Sequence, residues 1–349
     1  MTEEGGVPAP ALTRDNIHLS QGIQARPEPL SEAVSNSLSA LGCTDPKILE
    51  FVAAATAENT QRAYQSDLRH FLASGGLLPA TPEQVARYLA DHAATLSMAT
   101  LARRVVGIRA AHVARGFADP TDSELVRLTF RGIRRTFGQP QRRVAALTID
   151  QLANIIGSLG GSSKDIRDAA ILLIGFAGAF RRSELVAIDR GDVQIHETGA
   201  AIILRRSKTD QLGVGRTVSI PRVQGRLCPV TALQKWLYIS GIADGPLFRP
   251  VTKGGRAAQR RISADAVAGI IKTRTQAVGC DPTRYSGHSL RAGFATEAAR
   301  LGMAKWRIKA QTGHLSDAML DRYIREQALA DFAGLSLVFA AGWPQSNFT

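Results

Sequence analysis

The apolar positions in the first half of the chain recur at steps of three and four residues, the spacing of one buried helix face. Over residues 46–137 this pattern defines several amphipathic segments, and none of them alternates as a strand would. Their apolar positions are Tyr64, Leu68, Phe71 and Leu72; Val85, Tyr88 and Leu89; Leu101, Val105 and Ile108; and Val126, Phe130, Ile133 and Phe137. We therefore predict a bundle of four or five helices, with one helix beginning at Thr81-Pro82.

The pattern differs on either side of this bundle. Residues 1–45 are rich in Pro, Gly, Ser and Ala, which predicts a flexible arm with one helical stretch over residues 30–41. Residues 138–146 interrupt the periodicity and predict a linker. In residues 147–349, Thr148 is a predicted helix N-cap, and residues 165–180 are predicted to form an apolar helix. Two strands are predicted over residues 200–206 and 216–220. The expected fold class is mainly α with a small antiparallel β-sheet.

The net charge of the chain limits which kinds of binding partner are expected. Lysine and arginine total 43 and aspartate and glutamate total 30, so the formal net charge is +13. Such a balance favours nucleic acid or an acidic membrane surface. The longest apolar run, residues 169–180, is shorter than the roughly 20 residues of a membrane span, and no secretory signal is evident. Cys43, Cys228 and Cys280 lack metal-ligand or redox spacing, which fits a reducing cytosol.

Arginines cluster on the last predicted helix of the bundle. They follow one position behind its apolar stripe and form a basic ridge, which the linker and the preceding helix extend. We favour phosphate contact over a merely solvated face, because acidic partners at the i+4 position are missing. The candidate DNA-contact residues are Arg103, Arg104, Arg127, Arg131, Arg134, Arg135, Arg142 and Arg143, and Arg109 adds further charge.

Four short elements in the second half carry residues suited to phosphate chemistry. Arg181 with Glu184 ends the apolar helix, Lys208 lies between the two strands, His288 and Arg291 stand at i and i+3, and His314 precedes Tyr323 by nine residues. Each has an ordinary alternative: a structural ion pair, an exposed hairpin lysine, a core histidine and a core tyrosine. Guanidinium groups suit the added negative charge of a phosphoryl transition state, so their joint occurrence is the stronger indication.

In this order the motifs resemble the tyrosine recombinases, also called the phage integrase family, in their Cre-like and Xer-like form. The family pattern is Arg-x-x-Glu, a hairpin Lys, His-x-x-Arg, and Gly-His before the nucleophilic Tyr. The positions that match are Arg181 with Glu184, Lys208, His288, Arg291, His314 and Tyr323. Two departures are the Ala179-Phe180 pair, where Gly-Leu is more usual, and His314, where Cre-like enzymes proper carry Trp. The spacing selects Arg181 over Arg182 and Tyr323 over Tyr285.

The resemblance implies a function and an organisation. Tyr323 would form a 3′-phosphotyrosyl bond, Arg181 and Arg291 would clamp the phosphate, His288 would assist Tyr323, Lys208 would protonate the leaving oxygen, and His314 would donate to the phosphate. A SAM-like core-binding domain (46–137) and a catalytic domain with a C-terminal interaction helix (147–349) would clamp DNA. We expect no cofactor, no metal, and as partner double-stranded DNA with an inverted-repeat site.

The resemblance further implies monomers that assemble into a homo-tetramer at synapsis. The protein would be cytoplasmic and nucleoid-associated, encoded by a bacterium or a phage. The C-terminal helix, with Ala328, Phe332, Leu335 and Val338, docks either on a neighbouring protomer or on its own core. The competing functions are a type IB topoisomerase, a telomere resolvase, and a non-catalytic DNA-binding regulator of recombinase descent.

Overall fold

The structure is a computed structural model that describes residues 28–40, 45–139, 144–205, 215–314 and 320–321. Contacts divide the chain into two compact units, Met1–Gln141 and Arg142–Thr349. In the described residues the fold is mainly α-helical, with a single three-stranded antiparallel sheet. This observation confirms the predicted fold class.

The first unit is entirely helical over its described residues. Its core comes from the predicted apolar faces: Leu68, Phe71, Val85, Leu89 and Leu101 are almost fully buried. The predicted start at Thr81-Pro82 is confirmed, because Thr81 forms a capping box with Gln84. The helices are α1 Leu30–Ala40, α2 Pro46–Ala54, α3 Glu58–Ala73, α4 Pro82–Asp91, α5 Met98–Val113 and α6 Glu124–Phe137.

The second unit is built around one buried helix. Its elements are α7 Ile149–Ser158, α8 Ser163–Ala177, α9 Arg182–Ala187, β1 Val193–Ile195, β2 Gly199–Leu204, β3 Arg216–Pro221, α10 Pro229–Ser240, α11 Ala264–Ala277, α12 Ser289–Arg300 and α13 Lys305–Thr312. Helix α8 corresponds to the predicted apolar helix, and Ala170 to Gly175 on it are all buried. Thr148 caps α7 through a capping box with Gln151, as predicted.

The sheet has the order β1-β2-β3, and both pairs are antiparallel. Ile202 of β2 is paired with Val218 of β3, and both face the core, whereas Ile203 and Thr217 face outward. Strands β2 and β3 agree with the two predicted strands, whereas β1 was not predicted, because its three residues are too few to show an alternating pattern.

Helix α12 packs closely on the elements that carry the site. A Cβ atom on Gly293 would lie 2.0 Å from the carbonyl oxygen of Leu147 and 2.9 Å from the Phe176 ring. Glycine is therefore required here, because any larger side chain would push α12 away from α8.

Among the described residues no helix combines the length and the apolarity that crossing a membrane would demand.

Candidate active site

The described residues include five of the seven predicted site positions: Arg181, Glu184, His288, Arg291 and His314. Lys208 and Tyr323 lie outside the described residues. The five described positions come from three separate stretches of the second unit: the turn after α8 with the first turn of α9, the start of α12, and the turn after α13.

The turn after α8 sets the position of Arg181. Helix α8 ends at Ala177, Ala179 takes the left-handed conformation with φ 48°, and Phe180 is buried. Arg181 then occupies the N-cap position of α9. Glu184, 2% exposed, accepts from the Arg181 backbone N–H at 2.9 Å and from its guanidinium at 2.5 Å, so one carboxylate fixes both ends of this residue.

The left-handed backbone at Ala179 explains why glycine is more usual there in the family pattern. An L-residue in this conformation costs about 1–2 kcal/mol, and a β-branched residue costs more. We expect Ala179→Val to lower the free energy of unfolding by at least about 3 kcal/mol, because this strain adds to overpacking. Ala179→Gly should change it by less than about 1 kcal/mol, because the relief of strain offsets the lost methyl group and the greater chain entropy.

Urea unfolding followed by circular dichroism measures both changes. Ala170→Val is the matched control, because Ala170 is equally buried but lies within α8. If Ala179→Val and Ala170→Val destabilise the protein equally, the backbone conformation of Ala179 contributes nothing.

Helix α12 contributes His288 and Arg291. His288 stands at the N-cap position and Arg291 one turn further on, so both side chains lie at the same end of the helix. Arg291 is only 1% exposed, and its Nη1 donates to the carbonyl oxygens of Ala179, at 3.0 Å, and of Thr312. One end of this buried guanidinium thus connects the turn that carries Arg181 to the end of α13.

His314 lies in the turn after α13. Gly313 has φ 65°, and its carbonyl oxygen lies 3.4 Å from Nη2 of Arg181. His314 is 5% exposed, and its Nδ1 lies 2.9 Å from Oγ1 of Thr312. The Thr312 hydroxyl donates its single hydrogen to the carbonyl oxygen of Ile308 at 2.7 Å. With that hydrogen assigned to Ile308, we assign Nδ1 of His314 as the donor to Thr312, which leaves the lone pair of the neutral ring on Nε2.

Both histidines are held in the neutral form. Burial lowers the pKa of His314 to about 4, with additional lowering by the charges of Arg291 and Arg181, by repulsion from the protonated form of His288, and by Arg216. The pKa of His288 is also lowered, first by desolvation among the surrounding protein atoms and then by Arg291 and Arg181, although the residue as a whole is exposed. The site therefore has a positive potential that an anion would relieve.

Two residues that the sequence analysis did not assign belong to this cluster. Thr312 fixes the tautomer of His314, and Arg216, the first residue of β3, places its Nη2 atom 3.7 Å from Oε2 of Glu184. The only sequence signals were their positions: Thr312 stands directly before the Gly-His element, and Arg216 begins the predicted strand after the Lys208 loop.

Arg182 and Tyr285, the alternatives to Arg181 and Tyr323, have partners outside the cluster. Arg182 pairs with Asp265 at 3.0 Å. Tyr285 is 5% exposed, and its hydroxyl accepts from Nε2 of Gln151 at 2.9 Å. Burial and the neighbouring Cys280 raise the pKa of Tyr285, which makes its phenolate harder to form.

In the first unit, the arginines of α6 are exposed, and Arg127, Arg131 and Arg134 line one groove of about 380 Å³. Arg127 nevertheless has acidic partners, Glu124 at 3.0 Å and Asp122 at 3.1 Å, which precede it by three and five positions and so do not fit the i+4 spacing. Arg134 lies over the Phe130 ring.

The two arginines of α5 also have partners. Arg103 pairs with Asp67 at 3.0 Å, and Arg104 is buried and donates to the Tyr88 hydroxyl at 2.7 Å. The prediction that Arg104 faces DNA is therefore corrected, because its guanidinium points into the bundle. Arg142 and Arg143 lie outside the described residues.

Comparison with known proteins now adds to this geometry. The model of the phage integrase family matches residues 145–329, which is more than half of the chain. The chain belongs to the phage integrase family. Like other tyrosine recombinases, this member is a site-specific recombinase that cleaves and rejoins DNA strands. The matches give no support to a topoisomerase, a telomere resolvase or a non-catalytic regulator.

Individual relatives agree with the family. An integrase/recombinase XerD homolog of Selenomonas ruminantium is 38% identical over 281 residues, covering 77% of this chain and 82% of its own. The Cre recombinase of Escherichia phage P1 is 29% identical over 271 residues, covering 71% and 76%. The solved XerH recombinase, in a post-cleavage complex with a palindromic difH substrate, shares the fold with a TM-score of 0.58 and 14% identity, covering 87% of this chain and 94% of its own.

Proposed function

We propose that Tyr323 is the nucleophile of this recombinase and that Arg181, Arg291, His288, His314 and Lys208 serve it. The Tyr323 oxygen attacks the scissile phosphate, a 3′-phosphotyrosyl bond forms, and the bond to the 5′-oxygen breaks. His288 takes the tyrosine proton, and Lys208 gives a proton to the leaving 5′-oxygen. A second transesterification by a 5′-hydroxyl reverses these steps on a new partner strand.

The observation that carries this proposal is the convergence of two arginines and two neutral histidines. Arg181 and Arg291 lie beside His288 and His314, and both arginines lower the pKa of both histidines. A phosphodiester placed here would gain hydrogen bonds from fixed guanidinium groups, which need no reorganisation as charge develops in the transition state. Glu184 holds Arg181 and keeps it from turning towards other anions.

The tautomer assigned to His314 determines whether its Nε2 atom accepts or donates a hydrogen bond. With Nδ1–H assigned to Thr312, neutral His314 presents a lone pair at Nε2, which can accept a hydrogen bond but cannot donate one. It donates to a phosphate from Nε2 only after protonation. A bound phosphodiester offsets the surrounding cations and raises the pKa of His314, so we propose that DNA binding converts this residue from acceptor to donor.

We also propose the partner and the assembly. The described candidates for DNA phosphate contact are Arg103, Arg127, Arg131, Arg134 and Arg135, and Arg142 and Arg143 of the 138–146 linker complete the set. Residues 46–137 act as the core-binding domain, 147–349 as the catalytic domain with the C-terminal helix, and 1–45 as the arm. The palindromic substrate of XerH supports an inverted-repeat site. Four protomers then join two sites in the bacterial cytoplasm, at the nucleoid.

A nicked suicide substrate tests the proposal. The DNA flanking the gene should contain two arms of about 11–13 bp in inverted orientation around a short spacer. On a duplex with this sequence and a nick near the scissile phosphate, we expect a covalent protein–DNA adduct that survives denaturation. A duplex with scrambled arms should give none. If the protein instead relaxes a plasmid without the site as fast as one with it, the proposal of a site-specific reaction is wrong.

A further inference from the structure

Arg216 holds the end of α13. It is half-buried, and its Nη1 donates to the carbonyl oxygens of Gln311 at 2.9 Å and of Ala310 at 3.1 Å. These carbonyls belong to the last turn of the helix, where no intrahelical donor is available to them. A cation there also interacts favourably with the helix dipole. Arg216 thus fixes the turn from which Gly313 and His314 emerge.

The same guanidinium approaches the carboxylate that holds Arg181. Its Nη2 lies 3.7 Å from Oε2 of Glu184, which also accepts from the Arg181 backbone N–H, whereas the Arg181 guanidinium donates to Oε1. A Cβ atom on Gly313 would lie 3.1 Å from Cζ and Nε of Arg216. Glycine at position 313 therefore allows both a positive φ and the close approach of this side chain.

A second contact joins the same two elements. Nε2 of Gln311 donates to the carbonyl oxygens of Ala177, at 2.7 Å, and of Ser219 in β3, at 3.1 Å. Strand β3 and the end of α13 are therefore connected at two points, Arg216 and Gln311. Residues 205–215, which contain Lys208, separate β2 from β3 in the chain.

We propose that Arg216 is a positioning residue for strand cleavage, which keeps the α13 end with His314 in register with β3 and with the Glu184–Arg181 pair. It acts through these groups and does not contact the reacting atoms. This inference rests on the proposed function of the site. Its physical basis is that displacing an aligned catalytic group by about 1 Å can cost 10²-fold in rate.

Single-turnover cleavage of the suicide substrate at saturating protein provides the first test. We expect Arg216→Gln and Arg216→Lys to cleave about 10²-fold more slowly while DNA affinity changes less than about threefold, because neither side chain spans two carbonyls and a carboxylate. Arg222→Gln is the matched control. Arg222 directly follows β3 and likewise donates to backbone carbonyls, those of Glu197 at 2.8 Å and His196 at 3.3 Å. Arg222→Gln should therefore cleave at the wild-type rate.

The second measurement separates positioning from general stability and does not depend on cleavage. In the DNA-free protein, the NMR titration of His314 should move to higher pH in Arg216→Gln, because one of the cations around the ring is lost while Arg291, Arg181 and His288 remain. It should not move in Arg222→Gln. The pH profile of cleavage should move in the same direction.

Two outcomes would overturn the proposal. A normal saturated rate with lost DNA affinity would make Arg216 a phosphate contact. A His314 titration unchanged in Arg216→Gln would leave Arg216 a purely structural residue. Failure of the wild-type protein to form any adduct would instead contradict the proposed function, and the His314 titration would still decide the placement of Arg216.

Discussion

Replacing Tyr323 by phenylalanine should abolish the covalent protein–DNA adduct, with a loss of at least about 10³-fold in cleavage rate. The substitution removes only the oxygen that attacks phosphorus, so DNA binding should stay at the wild-type level. Tyr285→Phe is the matched control, because Tyr285 is also a tyrosine of the second unit, three residues before His288. Its hydroxyl bonds to Gln151 inside the core, and its loss should leave the adduct intact.

Denaturing gel electrophoresis with labelled DNA measures the adduct, and a mobility shift under native conditions measures binding. Tyr285→Phe loses one buried hydrogen bond, so its stability should fall by about 1 kcal/mol without an effect on the cleavage rate. An adduct that persists in Tyr323→Phe and disappears in Tyr285→Phe would reverse the assignment of the nucleophile.

Much of the scaffold could be predicted from local patterns. The caps at Thr81 and Thr148, the buried helix α8 and the strands β2 and β3 all depend on residues within a few positions of each other, so the sequence displays their cause directly. Strand β1 depends on pairing with β2 and carries little pattern of its own. The periodicity of α5 indicated which face is buried, but not that Arg104 reaches inward to Tyr88 on another helix.

The candidate site, like the fold, could be predicted only in part from the sequence. Motif spacing predicted Arg181 with Glu184, His288, Arg291 and His314 because the family resemblance supplies their order, and the structure brings these residues together in the second unit. The roles of Arg216 and Thr312 depend on particular hydrogen bonds, which spacing does not report. Arg216 contacts Gln311, 95 positions further along the chain, and Thr312 acts through the direction of a single hydroxyl hydrogen.

Arg291→Lys should reduce strand cleavage by about 10²–10³-fold with little change in DNA affinity, the size of effect seen when one fixed donor to a developing oxyanion is lost. The lysine keeps the charge but loses the planar, multidentate donor that contacts Ala179 and Thr312. Arg300→Lys is the control on the same helix, because Arg300 is exposed and pairs with Glu297 at 2.8 Å. It should cleave normally.

The stability of Arg291→Lys provides an independent check. Arg291 is 1% exposed, and its Nη1 bonds to two carbonyl oxygens in the interior. Leaving a buried carbonyl without its donor costs about 1–3 kcal/mol, so the free energy of unfolding should fall by that amount, whereas in Arg300→Lys it should hardly change. If Arg291→Lys lost this stability yet cleaved at the wild-type rate, Arg291 would serve only to join the turn after α8 to α13, and Arg181 would be left as the clamp on the phosphate.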